Sequence, residues 1–361
     1  MEIAHRRLLS QHIAGKPLDQ PQAVVRWMGA MQAQDYQQAV WAIGLRTQAG
    51  TLSAVEQAIA DRMILQTWPM RGTIHFVVAE NAKWMLELSA PRSLTADRLR
   101  LRQLELDERI LARCSDLFHA ALQGGKRLTR AGMMQLLADA QISPAGQRGY
   151  HILWYLAQTG LICFGPMQGK EQTFVLLNEW VPDARQLSRE EALAELAGRY
   201  FASHGPATLD DFARWAGLTL TDARSGLELA KPVLASEKQD ARTFWFSINA
   251  PDMPTHDPSS LYLLPGFDEY LLGYKDRNDM LAAEHANRIV PGGNGIFLPM
   301  IVVGGQIVGT WKRTRKKKGL EITLLPFISP SVSQAQMMDQ AAERYSAFLG
   351  LRLASLVILE V

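Results

Sequence analysis

Residues 312–318, Lys312-Arg313-Thr314-Arg315-Lys316-Lys317-Lys318, are the densest concentration of one chemistry in this sequence. A cationic run of this kind suits a phosphate backbone, because each neutralised phosphate releases counterions and binding then weakens steeply with salt. The competing explanation is a solvated charge run, or an edge strand kept from aggregating by its lysines. Arg71, next to Gly72 in a turn, is a second candidate for a backbone or groove contact. Gln147, Arg148, Tyr150 and His151 would read base edges if they lay on a helix in the major groove. Asp268, Tyr270, Tyr274 and Asp276 form a polar, aromatic cluster, and a loop that pins one domain to another suits it better than a carboxylate site. Gln32 and Gln34, on spacing alone, read as polar residues capping or solvating a helix. The sequence shows no His/Cys metal spacing, no phosphate-cradling glycine loop and no Gly-x-Ser-x-Gly elbow. We therefore expect no metal and no small-molecule cofactor.

The elements that must position these residues belong to a soluble globular chain, with 47% hydrophobic and 20% charged residues among 361. That length suggests two to four compact units. The net charge of +2 is too small to announce a nucleic-acid partner, so the local patch carries that argument. Cys114 and Cys163 are the only cysteines and lie in apolar surroundings, which excludes a disulfide framework or Cys-rich zinc site and suggests a reducing compartment. Met1-Glu2-Ile3-Ala4-His5-Arg6-Arg7 leads into a polar, periodic segment and not a signal-peptide core. Eighteen uninterrupted apolar residues occur nowhere, so the expectation is a cytoplasmic protein without a membrane partner.

One supersecondary outline recurs along the chain. Apolar residues at helical spacing over 22–34 and a helix over 52–65, with Ser53 as its cap, precede an alternating stretch over 66–78 that turns at Arg71-Gly72. Helices over 107–124, 129–140 and 146–159 precede a strand, a Gly169 turn and a second strand. Helices over 190–203, 208–216 and 221–228 precede a ribbon over 233–247. Helices followed by a two-stranded wing outline a winged helix, whose third helix usually enters the major groove. A Pro- and His-bearing linker over 251–258 then leads to strands over 261–264, 295–303, 306–312 and 320–325, a helix over 333–350 and a strand over 356–359. The fold class expected is mainly α with β: three tandem winged-helix units over 1–100, 101–185 and 186–250, then a small β-barrel-like domain with a C-terminal helix over 251–361.

Met31-Gln32-Ala33-Gln34-Asp35 resembles the Gln–hydrophobic–Gln motif of the AlkZ-like (YcaQ-related) winged-helix DNA glycosylases. The stretch from Thr67 through Trp68-Pro69-Met70-Arg71-Gly72-Thr73-Ile74 to His75 resembles the same family. So do Leu264-Pro265-Gly266-Phe267-Asp268-Glu269-Tyr270-Leu271-Leu272-Gly273-Tyr274-Lys275-Asp276-Arg277, Asn294-Gly295-Ile296-Phe297-Leu298-Pro299 and Gly309-Thr310-Trp311-Lys312-Arg313. The triplet alone carries no weight, but the landmarks span nearly the whole chain in the family's order. The resemblance implies a monofunctional glycosylase that hydrolyses the bond between an N-alkylated purine and its sugar, interstrand crosslinks included. It also implies that Gln32 and Gln34 hold the attacking water. YcaQ-type relatives carry aspartate at the second position, so this chain stands with the Gln-x-Gln branch.

Neutral amides fit that chemistry only for a particular substrate. A glutamine is too weakly basic to take a proton, yet it can accept hydrogen bonds from a water and orient it. An N7-alkylated guanine already carries positive charge and leaves without an acid. Two residues apart on a helix point to nearly opposite sides, so a shared water requires the helix to end or distort at Ala33, with 35–38 as its exit. His75 and Thr73 share a strand face that would border such a cleft; the alternative for His75 is a histidine satisfied inside the first wing. With Lys312, Arg313, Arg315, Lys316, Lys317, Lys318 and Arg71, it completes the expected DNA contacts of a monomer on duplex DNA, and hence at the nucleoid. A crosslinked purine cannot leave the stack freely, so an open concave surface would serve in place of a deep pocket. The competing functions are a non-catalytic winged-helix DNA-binding regulator and, behind it, a protein-interaction scaffold.

Overall fold

The computed structural model describes residues 3–250 and 260–359. The linker expected over 251–258 lies outside the described residues. The chain forms two compact units, one joining Met1–Val55 to Ala194–Val361 and the other comprising Glu56–Leu193.

After α1 (Ile3–Ser10), α2 (Pro21–Met28) begins on a proline suited to a first turn and stops at Gly29, whose φ is 77°. The helical period expected over 22–34 thus ends before the glutamine motif. Met31–Gln32 is a short extended segment, β1, and Asp35 then accepts from the Gln37 and Gln38 backbone N–H groups to cap α3 (Tyr36–Arg46). Residues expected as a helix exit are a helix entry instead. The cap expected at Ser53 is Thr51, whose hydroxyl accepts from the Ala54 N–H ahead of α4 (Leu52–Ala60).

Beyond α4 come β2 (Ile64–Met70) and β3 (Thr73–Val78), joined by Arg71 and Gly72 at φ 52° and 65°. Two left-handed residues are what a tight hairpin turn requires. The 22-residue α5 (Ala82–Gln103) has no counterpart in the sequence reading: its buried positions crowd into the first half, so no helical period is sustained. α6 (Glu108–Leu122), β4 (Leu128–Thr129), α7 (Arg130–Asp139) and α8 (Arg148–Gln158) follow. β5 (Ile162–Gln168), β6 (Glu171–Leu176) and α9 (Leu177–Trp180) complete this stretch. Thr129 caps α7 as expected. Within this unit the strands run in the order β3-β2-β5-β6-β4, so the two hairpins share a sheet through Gln66 and Phe164. Trp68 stacks on Phe164 at 4.5 Å within a core that includes Phe118, Leu153 and Phe174.

The chain then returns to the first unit through α10 (Arg189–His204), α11 (Leu209–Ala216), α12 (Leu220–Ala230) and the ribbon β7 (Leu234–Gln239)–β8 (Arg242–Ser247). β9 (Leu261–Leu264), α13 (Glu269–Leu272), α14 (Ala286–Ile289), β10 (Met300–Val303), β11 (Gln306–Lys316), β12 (Gly319–Pro326), α15 (Val332–Phe348) and β13 (Leu353–Ile358) finish it. Five of these strands form a sheet in the order β13-β12-β11-β10-β9, antiparallel except for the parallel pair β12 and β13. The strand expected over 295–303 contracts to β10, because Gly292, Gly293 and Gly295 adopt positive φ just before it. The whole is a mixed α/β fold. Among the described residues no helix is long and apolar enough to cross a membrane.

Two tryptophans fasten α3 and the sheet to α15. The indole nitrogens of Trp41 and Trp311 donate to the Leu263 and Leu264 carbonyls, and the Tyr345 ring meets both edgewise at 5.0 and 4.9 Å. Gly44 lets α15 approach: a Cβ there would lie 2.2 Å from the Phe348 ring. Gly44→Ala gains about 1 kcal/mol of helix propensity but overpacks the contact by about 1–3 kcal/mol. The variant should therefore be less stable by denaturant titration, and Gly44→Ala/Phe348→Leu should recover part of the loss.

Candidate active site

The motif that a regular helix would have split is brought together by the break between α2 and α3. The chain is extended through Gln32 and bends at Gln34, and the Gln32 amide nitrogen donates to the Gln34 side-chain oxygen at 2.7 Å. Gln32 is buried at 9% exposure whereas Gln34 reaches the surface, so the pair runs from the interior to solvent. Gln34 also sits directly before Asp35, the residue that starts α3.

The backbone behind the motif is fixed by the stretch 265–277. The Gln32 N–H donates to Glu269 Oε1 at 2.8 Å, and the Trp215 indole donates to Glu269 Oε2 at 2.9 Å. His204 Nε2 lies 3.6 Å from the same oxygen. Preceding Glu269, Asp268 receives both terminal nitrogens of Arg46 at 2.9 and 2.8 Å and caps α13 through the Tyr270 N–H. Both charged side chains are fully buried. Tyr270 donates to the Gly305 carbonyl, and Tyr274 receives the Gln11 amide while donating to the His204 carbonyl. Asp268, Tyr270 and Tyr274 of the polar cluster seen in the sequence thus form a buried network within one unit, whereas Asp276 pairs with Arg242 nearer the surface. Sequence reasoning named Asp268 and Tyr270 there but passed over Glu269 between them, and Arg46 offered no signal beyond its place in the last turn of α3.

His204 is held neutral. Ser203 donates its one proton to the Arg199 carbonyl and so accepts from His204 Nδ1 at 2.8 Å. Burial lowers the imidazole's pKa, outweighing the Glu269 carboxylate that raises it.

In the other unit, His75 is fully buried in the first hairpin. Its Nδ1 donates to the Thr73 carbonyl at 2.8 Å, which leaves Nε2 to accept from the Arg71 guanidinium at 3.3 Å. The histidine acts on Arg71, then, and Arg71 is the group at the turn. The turn is packed by Trp154, whose indole donates to the Gly72 carbonyl. Of the candidate readers on α8, Gln147 receives Arg100, Arg148 bonds the Ser143 and Leu104 carbonyls, and His151 pairs with Asp97 at 3.0 Å. Gln147 and Tyr150 remain exposed, whereas Arg148 and His151 are half-buried.

The cationic run forms the end of the β11–β12 hairpin. Lys316 pairs in register with Gly319, placing Lys317 and Lys318 at the tip. Lys312, Arg315, Lys316, Lys317 and Lys318 are exposed, with Lys316 3.1 Å from Glu321. Arg313 differs: it is half-buried, donates to the Gln37 side chain at 2.6 Å and lies over the Tyr345 ring. Burial lowers its pKa, with Asp35 opposing. Arg313 therefore ties the arm to the first turn of α3, two residues past the cap that follows Gln34.

An amide pair running from the interior to the surface and anchored on a Pro-Gly-Phe-Asp-Glu-Tyr stretch thus shares a unit with a cationic hairpin. A family model described as "DNA glycosylase AlkZ-like" matches residues 25–348, and the chain belongs to that family. The interstrand DNA cross-link repair glycosylase of Streptomyces sahachiroi is 28% identical over 334 residues, covering 86% of each chain. The solved structure of Streptomyces sahachiroi DNA glycosylase AlkZ shares the fold, with a TM-score of 0.81 at 24% identity over 100% of this chain and 98% of that one.

Two histidines, the buried His204 and the half-buried His12, set a pH dependence. His204 and His12 both have pKa values lowered first by burial. Below about pH 6.5 the unfolded chain binds protons that the folded chain refuses, so stability falls on acidification through that window. The thermal midpoint should drop between pH 7 and pH 5.5, and the drop should shrink in His204→Gln.

Proposed function

We propose that this chain hydrolyses the N-glycosidic bond of N-alkylated, cationic purines in duplex DNA, with Gln32 and Gln34 positioning the attacking water. The observation that carries this is the 2.7 Å bond between the two amides where one helix stops and the next begins. It brings the two side chains together, and on this reading the Gln34 oxygen, which accepts from Gln32, uses its second lone pair to accept from the water that the Gln32 oxygen also holds. The C1′–N9 bond breaks with its electron pair going to the purine, whose positive charge is thereby discharged. The water oxygen bonds to C1′ and, once it carries the positive charge, passes its proton to bulk water. No group need protonate the base and none need be a strong base toward water, so the reaction is monofunctional hydrolysis without a lysine adduct. Positioning of this kind supplies a large share of a barrier reduction.

The name of the Streptomyces relative extends the substrate to interstrand crosslinks. A lesion tied to both strands stays largely in the stack, and amides at the protein surface suit it better than an enclosed pocket. The three helix-and-hairpin repeats are read as tandem winged-helix units over 1–100, 101–185 and 186–250 that bind the duplex, with 251–361 as a β domain, in a nucleoid-associated monomer. Arg71, oriented by His75, contacts a phosphate from the first hairpin. Lys312, Arg315, Lys316, Lys317 and Lys318 supply the contacts of the second arm, and Arg313 holds that arm in place.

Two measurements test this reading. Single-turnover excision of N7-methylguanine, read as abasic-site cleavage, should fall by about a hundredfold or more in Gln32→Ala and Gln34→Ala, with duplex affinity retained. Unaltered excision in both would end the water-positioning role, and binding without excision in the wild-type chain would favour a non-catalytic DNA-binding protein. Replacing Lys317 and Lys318 with alanine should reduce the slope of log K against log salt by about 2; an unchanged slope removes the arm from the interface.

A further inference from the structure

Gln32 and Gln34 are each held from behind, and the two supports meet. Gln34 is fixed by the start of α3, since Asp35 caps that helix. At the other end of α3, Arg46 forks onto Asp268. The residue after Asp268 is Glu269, which accepts the Gln32 N–H. A closed circuit therefore runs from Gln32 through Glu269, Asp268, Arg46 and α3 back to Gln34. Apart from the bonds at its two junctions it is backbone, so a shift at Glu269 is passed directly to one amide and not to the other.

We propose that Glu269 is a positioning residue for the glycosylase reaction, setting the direction of the Gln32 amide relative to Gln34; this rests on the water-positioning role given to the two glutamines. A buried backbone N–H needs an acceptor, but a neutral acceptor would meet that need. Glu269 offers a charged one, which shortens and strengthens the bond, and its second oxygen is engaged by Trp215. With Oε1 on Gln32 and Oε2 on the indole, the carboxylate cannot rotate without breaking a bond. The peptide plane of Gln32 inherits that fixity. The carboxylate sits at 1% exposure and reaches the motif through its backbone, so it acts on the reaction through Gln32 and not on the substrate.

The geometry makes an unusual rescue possible. In Glu269→Gln one carboxylate oxygen becomes an NH2 group, and two donors, the Gln32 N–H and the Trp215 indole, compete for the single remaining oxygen. Adding Trp215→Phe removes one competitor: the amide oxygen can serve Gln32, while the NH2 group faces His204 Nε2, a lone pair in the neutral tautomer described above. The experiment measures single-turnover excision of N7-methylguanine, duplex Kd and thermal midpoint for wild type, Glu269→Gln, Trp215→Phe, the double variant and Gln32→Ala. We expect Glu269→Gln to lose about tenfold to a hundredfold in rate at unchanged Kd, and the double variant to be faster than Glu269→Gln alone. A wild-type rate in Glu269→Gln overturns the proposal, as does a double variant slower than both single ones, which is the additive loss of a merely structural residue. Should Glu269→Gln fail to fold, Trp215→Phe decides: a severalfold slower rate at unchanged Kd supports the proposal and a wild-type rate overturns it. Gln32→Ala separates the two layers, because full activity there defeats the water-positioning role, whereas its loss beside an unaffected Glu269→Gln defeats only the role of Glu269.

Discussion

The rest of the glutamine site depends on the ion pair between Arg46 and Asp268, which joins positions 222 apart in sequence with both side chains fully buried. Burying two charges costs several kcal/mol per ion and is recovered only when the hydrogen bonding is complete. Here it is. Each of the five guanidinium N–H donors has an acceptor: the Gln11 carbonyl, the Ala42 carbonyl, the Gln11 side chain and the two Asp268 oxygens. Such a pair tolerates little displacement, because any shift leaves a charge without its partner. It therefore fixes register between α3 and α13, and every atom behind Gln32 is placed relative to that register.

On the proposed reading, a site built this way would work by holding and not by titrating. Of the ionisable groups around it, Glu269 and His204 face the backbone of the motif or the core, Asp35 is turned to the N–H groups of α3, and the side chains that meet are uncharged amides. Under that proposal its specificity would come from the substrate's own electronic state and from where the duplex is held. That division explains why the cationic residues are collected on a hairpin while the motif itself carries none. It also explains why His75, an attractive candidate by residue type, is spent orienting Arg71 inside its own strand pair.

Much of the secondary structure was legible because its signals are local. Asp107 and Thr129 cap helices, Gly304-Gly305 and Gly169-Lys170 turn hairpins, and the strand over 261–264 matches residue for residue. The long α5 was not legible, since a helix buried along only half its length shows no sustained period. The break after Met28 was half legible: apolar spacing continues past Gly29, and only the demand that two glutamines converge argued for an interruption. The network behind them was hidden for a different reason. Glu269 and Gln32 are 237 positions apart, and no local pattern encodes which carboxylate in a run of polar residues will meet a distant N–H group. The family's motifs marked both places without saying that they touch.

The β11–β12 hairpin illustrates a different economy. β11 runs for eleven residues while β10 pairs with it only from Gln306 to Thr310, so the outer half, from Lys312 onward, is paired along its other edge, by β12. Beyond Arg313 the arm buries almost nothing of its own strand, and Arg313 moors it at a single place. A ribbon so disposed can be extended, shortened or recharged by insertion and substitution without disturbing any packed interior. The interior around Gln32 permits no such drift, and the two regions of one polypeptide are accordingly free to evolve at very different rates.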